Sequence, residues 1–151
     1  MSKSSSTHSS LPYFISTDLS LFDMPLVHSW LTDTYWAKGI PLKIVEQSFK
    51  NSLSFGVFQR DGAQVGCARM ITDRATFAYL ADVYLADSCR GKGLGRWMMD
   101  MIMAHDDLQG LRRMMLATSD MHTLYKQVGF TSLTNPAVMM EISVPDIYSR
   151  H

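Results

Sequence analysis

The chain has very little to crosslink with: only two cysteines, Cys67 and Cys89, among its 151 residues. A disulfide scaffold is thereby excluded, because small folds that rely on such bridges carry them densely. An excess of either charge is also missing. Fourteen Lys and Arg face fourteen Asp and Glu, so no global field draws in a nucleic acid, and an anionic ligand must be met by local groups. Every apolar run is interrupted by Asp, Arg or Gly well before the ~20 residues that a membrane helix needs. The opening stretch, MSKSSSTHSS, has no apolar segment of the kind a secretory leader carries. These absences lead us to expect a soluble, cytoplasmic, reduced protein with no membrane, metal or nucleic-acid partner. One hydrophobic core suffices at this length.

What is present is a patterned chain. Residues 1–10 are Ser-rich and poor in groups that pack, and read as a disordered tail ahead of a single domain over 11–151. LPYFISTD is a short strand candidate. Asp23, with Pro25 two residues on, starts a helix in which Leu26, Val27, Trp30 and Leu31 recur at helical spacing, and Gly39 ends it. Pro41 suits the first turn of a second helix, whose inner face is Leu42, Val45 and Phe49. Asp61-Gly62 marks a hairpin turn, and a second break at Thr72 to Ala75 completes a meander of three antiparallel strands. Further on, Leu94, Trp97, Met98, Met101 and Ile102 follow the pattern of a core-facing helix. LRRMMLAT is a strand candidate, Asp120 a cap for the short helix MHTLYKQV, Gly129 its stop, and AVMMEIS a last strand. The class is α/β in the α+β sense, with a mixed, mostly antiparallel central sheet flanked by about four helices.

The stretch CRGKGLG, Cys89 to Gly95, joins the apolar run FAYLADVYLA to the amphipathic run RWMMDMIMAH. A strand entering a helix through glycines exposes unpaired backbone N–H groups at the positive end of the helix dipole, which is a phosphate site. Gly91, Gly93 and Gly95 can take positive φ and leave no Cβ in an anion's way. Arg90, Lys92 and Arg96 add positive charge at the rim. The plainer alternative is a tight connection with solvated cations. Two well-known phosphate loops do not fit. A Walker loop needs a hydroxyl after its lysine, where this chain has glycine. The dinucleotide fingerprint needs G-x-G-x-x-G within a parallel unit, where this chain has G-x-G-x-G after strands that look antiparallel.

VYLADSCRGKGLG instead resembles the acyl-CoA-binding segment of the Gcn5-related N-acetyltransferase (GNAT) family, whose loop runs [QR]-x-x-G-x-[GA]. Arg90, Gly93 and Gly95 occupy those positions. LYKQVGF is similar to a second family landmark, a Tyr near the end of the penultimate helix followed by Gly-Phe, and the element order agrees over about residues 11 to 145. The resemblance implies acetyl-CoA as cofactor. Its pyrophosphate would be held by the backbone of Arg90, Gly91, Lys92, Gly93, Leu94, Gly95 and Arg96, and its pantetheine arm would pair with the main chain of Val83, Tyr84 and Leu85. Val83 and Leu85 also suit an ordinary core.

Acetyl transfer to an amine requires a neutral amine, a stabilised oxyanion and a stabilised leaving thiolate. Tyr125 matches the family's tyrosine at the thiolate. Full proton transfer from a phenol of pKa about 10 to a thiolate of about 8.5 runs uphill by roughly 2 kcal/mol, so hydrogen bonding to sulfur is the better role. Where several members carry Glu-Asp, this chain has Ala81-Asp82. Asp82 is then either the general base or a structural acceptor. His122 precedes Tyr125 by one helical turn and is a candidate for cofactor contact or proton relay, or for packing alone. Cys89 would serve only an acyl-enzyme route, whereas the family usually transfers directly.

The acceptor pocket implied by the resemblance lies between the first two helices and the middle strands. Trp30, Tyr35, Trp36, Phe77 and Tyr79, with Asp33 nearby, suit a cationic amine carrying apolar bulk. A small primary amine or amino-acid-like metabolite is expected. The alternatives are a protein Nα-amine or lysine, a non-catalytic acyl-CoA-binding module, and a nucleotide phosphate binder. Exposed sheet edges are compatible with a homodimer.

Overall fold

The computed structural model describes residues 3–150. Six strands form one sheet in sequence order: β1 (Ser5–Thr7), β2 (Tyr13–Ser16), β3 (Leu53–Gln59), β4 (Gln64–Thr72), β5 (Phe77–Leu85) and β6 (Arg113–Met115). Neighbours pair antiparallel as far as β5, and β6 then joins β5 in parallel. Between the strands lie α1 (Met24–Leu31), α2 (Leu42–Lys50), α3 (Leu94–Met103) and α4 (His122–Gln127). No helix among the described residues is long and apolar enough to cross a membrane.

The sheet separates two apolar clusters. Leu94, Met98, Met99 and Ile102 of α3 pack with Ile15, Phe55, Val57, Ala68 and Met70. Val27, Leu31, Val45 and Phe49 of α1 and α2 pack with Cys67. Cys67 and Ala68 are adjacent on β4, and successive strand side chains point to opposite faces, so α3 covers one face and the helix pair the other.

Several local expectations are corrected. The serine-rich opening is not wholly a tail, because Ser5–Thr7 is an edge strand on β2. Ser4 N–H donates to Thr17 Oγ1 at 2.8 Å and Ser5 Oγ donates to Ser16 Oγ at 2.9 Å. Small hydroxyl side chains thus add to a main-chain ladder that forms without any apolar pattern. α1 ends at Leu31 rather than at Gly39, leaving a loop over 32–40. Pro41 is the N-cap of α2 rather than a first-turn residue. The N-cap of α4 is Met121, with no side-chain cap. Thr118 Oγ1, not Asp120, receives the Met121 N–H at 3.0 Å. AVMMEIS forms no strand, since the chain turns at Pro136–Val138 and the residues beyond it pair with no edge.

Candidate active site

β5 carries an extra residue where it passes β4. Cys67 pairs with Tyr84 and Arg69 with Ala81, so Asp82 and Val83 together oppose Ala68. This is a β-bulge, and Asp82 sits in the left-handed region at φ 55°, which aspartate tolerates better than most residues. β6 pairs only with Phe77, Ala78 and Tyr79. On the side away from β4, the edge of β5 from Leu80 to Leu85 therefore has no strand beside it among the described residues.

The bulge is pinned through its aspartate. Arg69 Nε donates to Asp82 Oδ2 at 2.6 Å, and Trp36 Nε1 donates to Asp82 Oδ1 at 2.9 Å. Arg69 also donates to Ser52 Oγ at 3.2 Å and lies over the Phe49 ring at 6.0 Å. Both carboxylate oxygens of the expected base are thus engaged in a network spanning β4, β5 and the 32–40 loop. Arg69 was not singled out from sequence, although a guanidinium inside the apolar run VGCARMI is a signal that a buried partner exists.

At the end of β5 the chain enters the glycine loop. Arg90 Nε donates to Leu85 O at 3.1 Å, Nη1 pairs with Asp87 at 2.8 Å, and the guanidinium lies 5.4 Å from the Tyr84 ring centroid. Gly91 and Gly93 adopt φ of 79° and 75°, and Gly93 is the N-cap of α3 with no side-chain cap. The backbone N–H groups of Gly91, Lys92, Gly93, Leu94, Gly95 and Arg96 donate to no acceptor among the described residues. Gly95 departs from expectation: it is an ordinary helical residue without positive φ, and a Cβ there would meet Leu85 and Leu124 at 3.8 and 3.9 Å. Lys92 Nζ reaches back to Tyr13 Oη at 3.5 Å, and Arg96 pairs with Asp100 at 3.0 Å.

Tyr125 is buried beside Phe130, with ring centroids 6.0 Å apart. Its hydroxyl has no hydrogen-bond partner among the described residues, yet no fully buried side-chain polar atom is left unpartnered, so the hydroxyl reaches solvent. Burial, aided by the nearby Asp120 and Tyr35, pushes its pKa above the ordinary phenol value of 10. The phenol stays protonated at neutral pH and so has a proton to donate. His122 is exposed one turn earlier on α4.

The aromatic candidates divide into three groups. Trp30 stacks on Tyr84 at 5.1 Å and belongs to the packing of α1 on the sheet. Tyr35 and Trp36 are exposed on the 32–40 loop, and Tyr35 Oη donates to Ser119 Oγ at 3.0 Å. That bond and the Trp36–Asp82 bond tie the loop to the β5 bulge and to the segment leading into α4. Phe77 and Tyr79 lie on the half of β5 that β6 covers, away from the bulge. Cys89 is buried, with Sγ 3.6 Å from Tyr13 Oη.

A family model for the acetyltransferase (GNAT) domain matches residues 51–132, which include the bulge, the glycine loop and Tyr125. The chain belongs to the GNAT acetyltransferase family. A Gibberella zeae protein named as an acetyltransferase is 34% identical over 140 residues, 78% of each chain. A crystal structure of a GNAT-family protein from Xanthomonas campestris pv. campestris is 52% identical, with a TM-score of 0.88 over 91% of this chain and 97% of that one. The fold alone is shared with a Clostridium acetobutylicum acetyltransferase in a structure with acetyl-CoA. That protein is 15% identical, with a TM-score of 0.59 over 94% of this chain and 95% of that one.

The residues present fit acetyl-CoA. Six consecutive free amides suit a diphosphate, an open β5 edge suits an extended amide chain, and an accessible phenol stands nearby.

Proposed function

We propose that the chain is an acetyl-CoA-dependent N-acetyltransferase that moves an acetyl group directly to a small primary amine. The supporting observation is the run of six unpartnered N–H groups from Gly91 to Arg96 at the start of α3. Bound acetyl-CoA would supply an activated thioester, whose acyl carbon is passed to the amine nitrogen with release of the thiol. The amides of Gly91–Arg96 hold the diphosphate, with Arg90 and Arg96 at its rim. Main-chain groups of Val83, Tyr84 and Leu85 align the pantetheine arm along the free edge of β5. Tyr125 keeps its proton on Oη and donates a hydrogen bond to the departing sulfur. Asp82 acts as a positioning residue: its two bonds fix the bulge and hold Trp36 over the cleft, while the amine's proton leaves to water. A direct base role for Asp82 competes with its ion pair to Arg69.

The 32–40 loop supports a small acceptor over a protein chain, because Tyr35 and Trp36 bridge the opening that a peptide would otherwise cross. The test has two stages. Calorimetry should show acetyl-CoA binding in preference to ATP, and thiol release should then be followed with panels of small amines and of peptides. Preference for ATP would overturn the assignment. Binding without turnover on any amine, unaffected by Tyr125→Phe, would identify a non-catalytic acyl-CoA module instead.

A further inference from the structure

Two aromatic rings are held in the open beside the reacting end of the site. Tyr35 is 71% exposed and Trp36 46%, and their ring planes meet at 85° with centroids 5.0 Å apart. Neither ring swings free, because each is tied by its polar atom: Tyr35 Oη donates to Ser119 Oγ and Trp36 Nε1 to Asp82 Oδ1. Their faces carry no cation of the protein. The cation–π contacts among the described residues lie elsewhere, with Arg69 on Phe49, Arg90 on Tyr84 and Lys92 on Tyr13. A fixed pair of perpendicular rings makes a corner that suits an alkylammonium group, since each face is the negative side of a quadrupole.

A carboxylate stands at the same corner. Ser119 Oγ, which receives the Tyr35 bond, lies 3.5 Å from Asp120 Oδ1, so the Asp120 charge is no more than two hydrogen-bond lengths from Tyr35 Oη. Asp82 is neutralised by Arg69, whereas Asp120 joins no ion pair among the described residues. The corner also neighbours Tyr125: after burial itself, Asp120 and Tyr35 are what raise the pKa of that phenol. An anionic corner walled by rings thus borders the place where the sulfur departs.

Such surroundings do not suit the reacting nitrogen. A carboxylate and aromatic faces favour the ammonium form, and a protonated nitrogen has no lone pair with which to attack the thioester. The cation held in the corner is therefore a different one. We propose, on the acetyl-transfer reading above, that Tyr35, Trp36 and Asp120 dock a second, charged nitrogen of the acceptor, so that the substrate is a diamine or another primary amine bearing a remote ammonium group. The strap formed by the 32–40 loop then selects the acceptor by charge as well as by size.

Thiol release from acetyl-CoA tests this with three acceptors of equal chain length: diaminopropane, aminopropyl-trimethylammonium and propylamine. Each of the first two should exceed propylamine in kcat/KM by about tenfold. That ratio should fall towards one in Asp120→Asn and in Tyr35→Leu, while Tyr35→Phe, which keeps the ring, should retain most of it. A loosened fold would lower all three acceptors together and leave the ratio alone. A wild-type ratio of one, or a ratio that survives either Asp120→Asn or Tyr35→Leu, would overturn the proposal. If no amine releases thiol, calorimetry of aminopropyl-trimethylammonium with the CoA-saturated protein separates the docking site from the chemistry. Binding that Asp120→Asn weakens would uphold the site and overturn acetyl transfer; binding that it leaves unchanged, or no binding, would overturn the site as well.

Discussion

The ion pair between Arg69 and Asp82 separates two accounts of the aspartate, as base and as latch. Its side chains are 17% and 9% exposed and its N···O distance is 2.6 Å. Removing one partner of a buried pair costs about 3–5 kcal/mol, because the other charge is left without compensation. The residual contact with water puts Asp82→Asn nearer about 2–3 kcal/mol. Asparagine keeps an acceptor for Trp36 and tolerates the left-handed backbone at this position, while its Nδ2 faces the Arg69 donor, so the loss combines the charge with one hydrogen bond. Arg69→Met retains the stem over Phe49 and should cost a similar amount. The double variant should cost less than the sum, with a coupling of about 1–3 kcal/mol. Urea unfolding at neutral pH measures each value, provided the slope is unchanged. Turnover supplies the second readout. If Asp82 acts as a latch, both single variants lower turnover alike, by about tenfold, because both loosen the same bulge. If it is the base, only Asp82→Asn suffers the loss of about 100-fold or more expected on removing an acid–base group. Stability within about 0.5 kcal/mol of wild type, together with that selective loss, would refute the latch.

Three other outcomes follow from the geometry. Gly93→Ala places a Cβ in open space but forces an L residue to hold φ 75°, costing about 1–2 kcal/mol and weakening acetyl-CoA binding in calorimetry as the loop relaxes. Gly95→Ala, whose Cβ meets only ordinary contacts, should instead gain up to about 1 kcal/mol of helix stability. Tyr125→Phe should lower turnover about tenfold to hundredfold, the worth of a hydrogen bond to a charged sulfur. Since burial raises the folded phenol's pKa above 10, its stabilising contribution is complete below pH 10 and is lost as pH rises through the folded value. Any limb of the pH–rate profile between pH 6 and 9 should therefore persist in Tyr125→Phe, and its disappearance would assign that limb to Tyr125. Finally, Cys67 and Cys89 are both buried, and burial raises the Cys67 thiol's pKa well above its ordinary value. Neither should react with a disulfide reagent until the protein unfolds, and Cys89→Ser should keep full turnover; loss of turnover there would revive an acyl-cysteine route.

Features encoded within a few adjacent residues were the legible ones. The Asp61-Gly62 turn, the face of α3 and the glycines at 91 and 93 each declare a backbone conformation locally, and the structure has them where the pattern placed them. The tie between Arg69 and Asp82 was not legible, because it depends on a register shift that brings positions 13 residues apart together across a bulge. The two misjudged strands share one cause. Ser5–Thr7 has no apolar alternation and is nevertheless a strand, because the edge of β2 was open beside it and small hydroxyl residues could pair there. Residues 137–144 have the alternation and are not a strand in the single chain, because no edge meets them. Side-chain pattern determines which face a strand would bury, whereas its existence requires a neighbour to take up its backbone hydrogen bonds. That neighbour is fixed by topology for Ser5–Thr7. For residues 137–144 no such neighbour lies among the described residues.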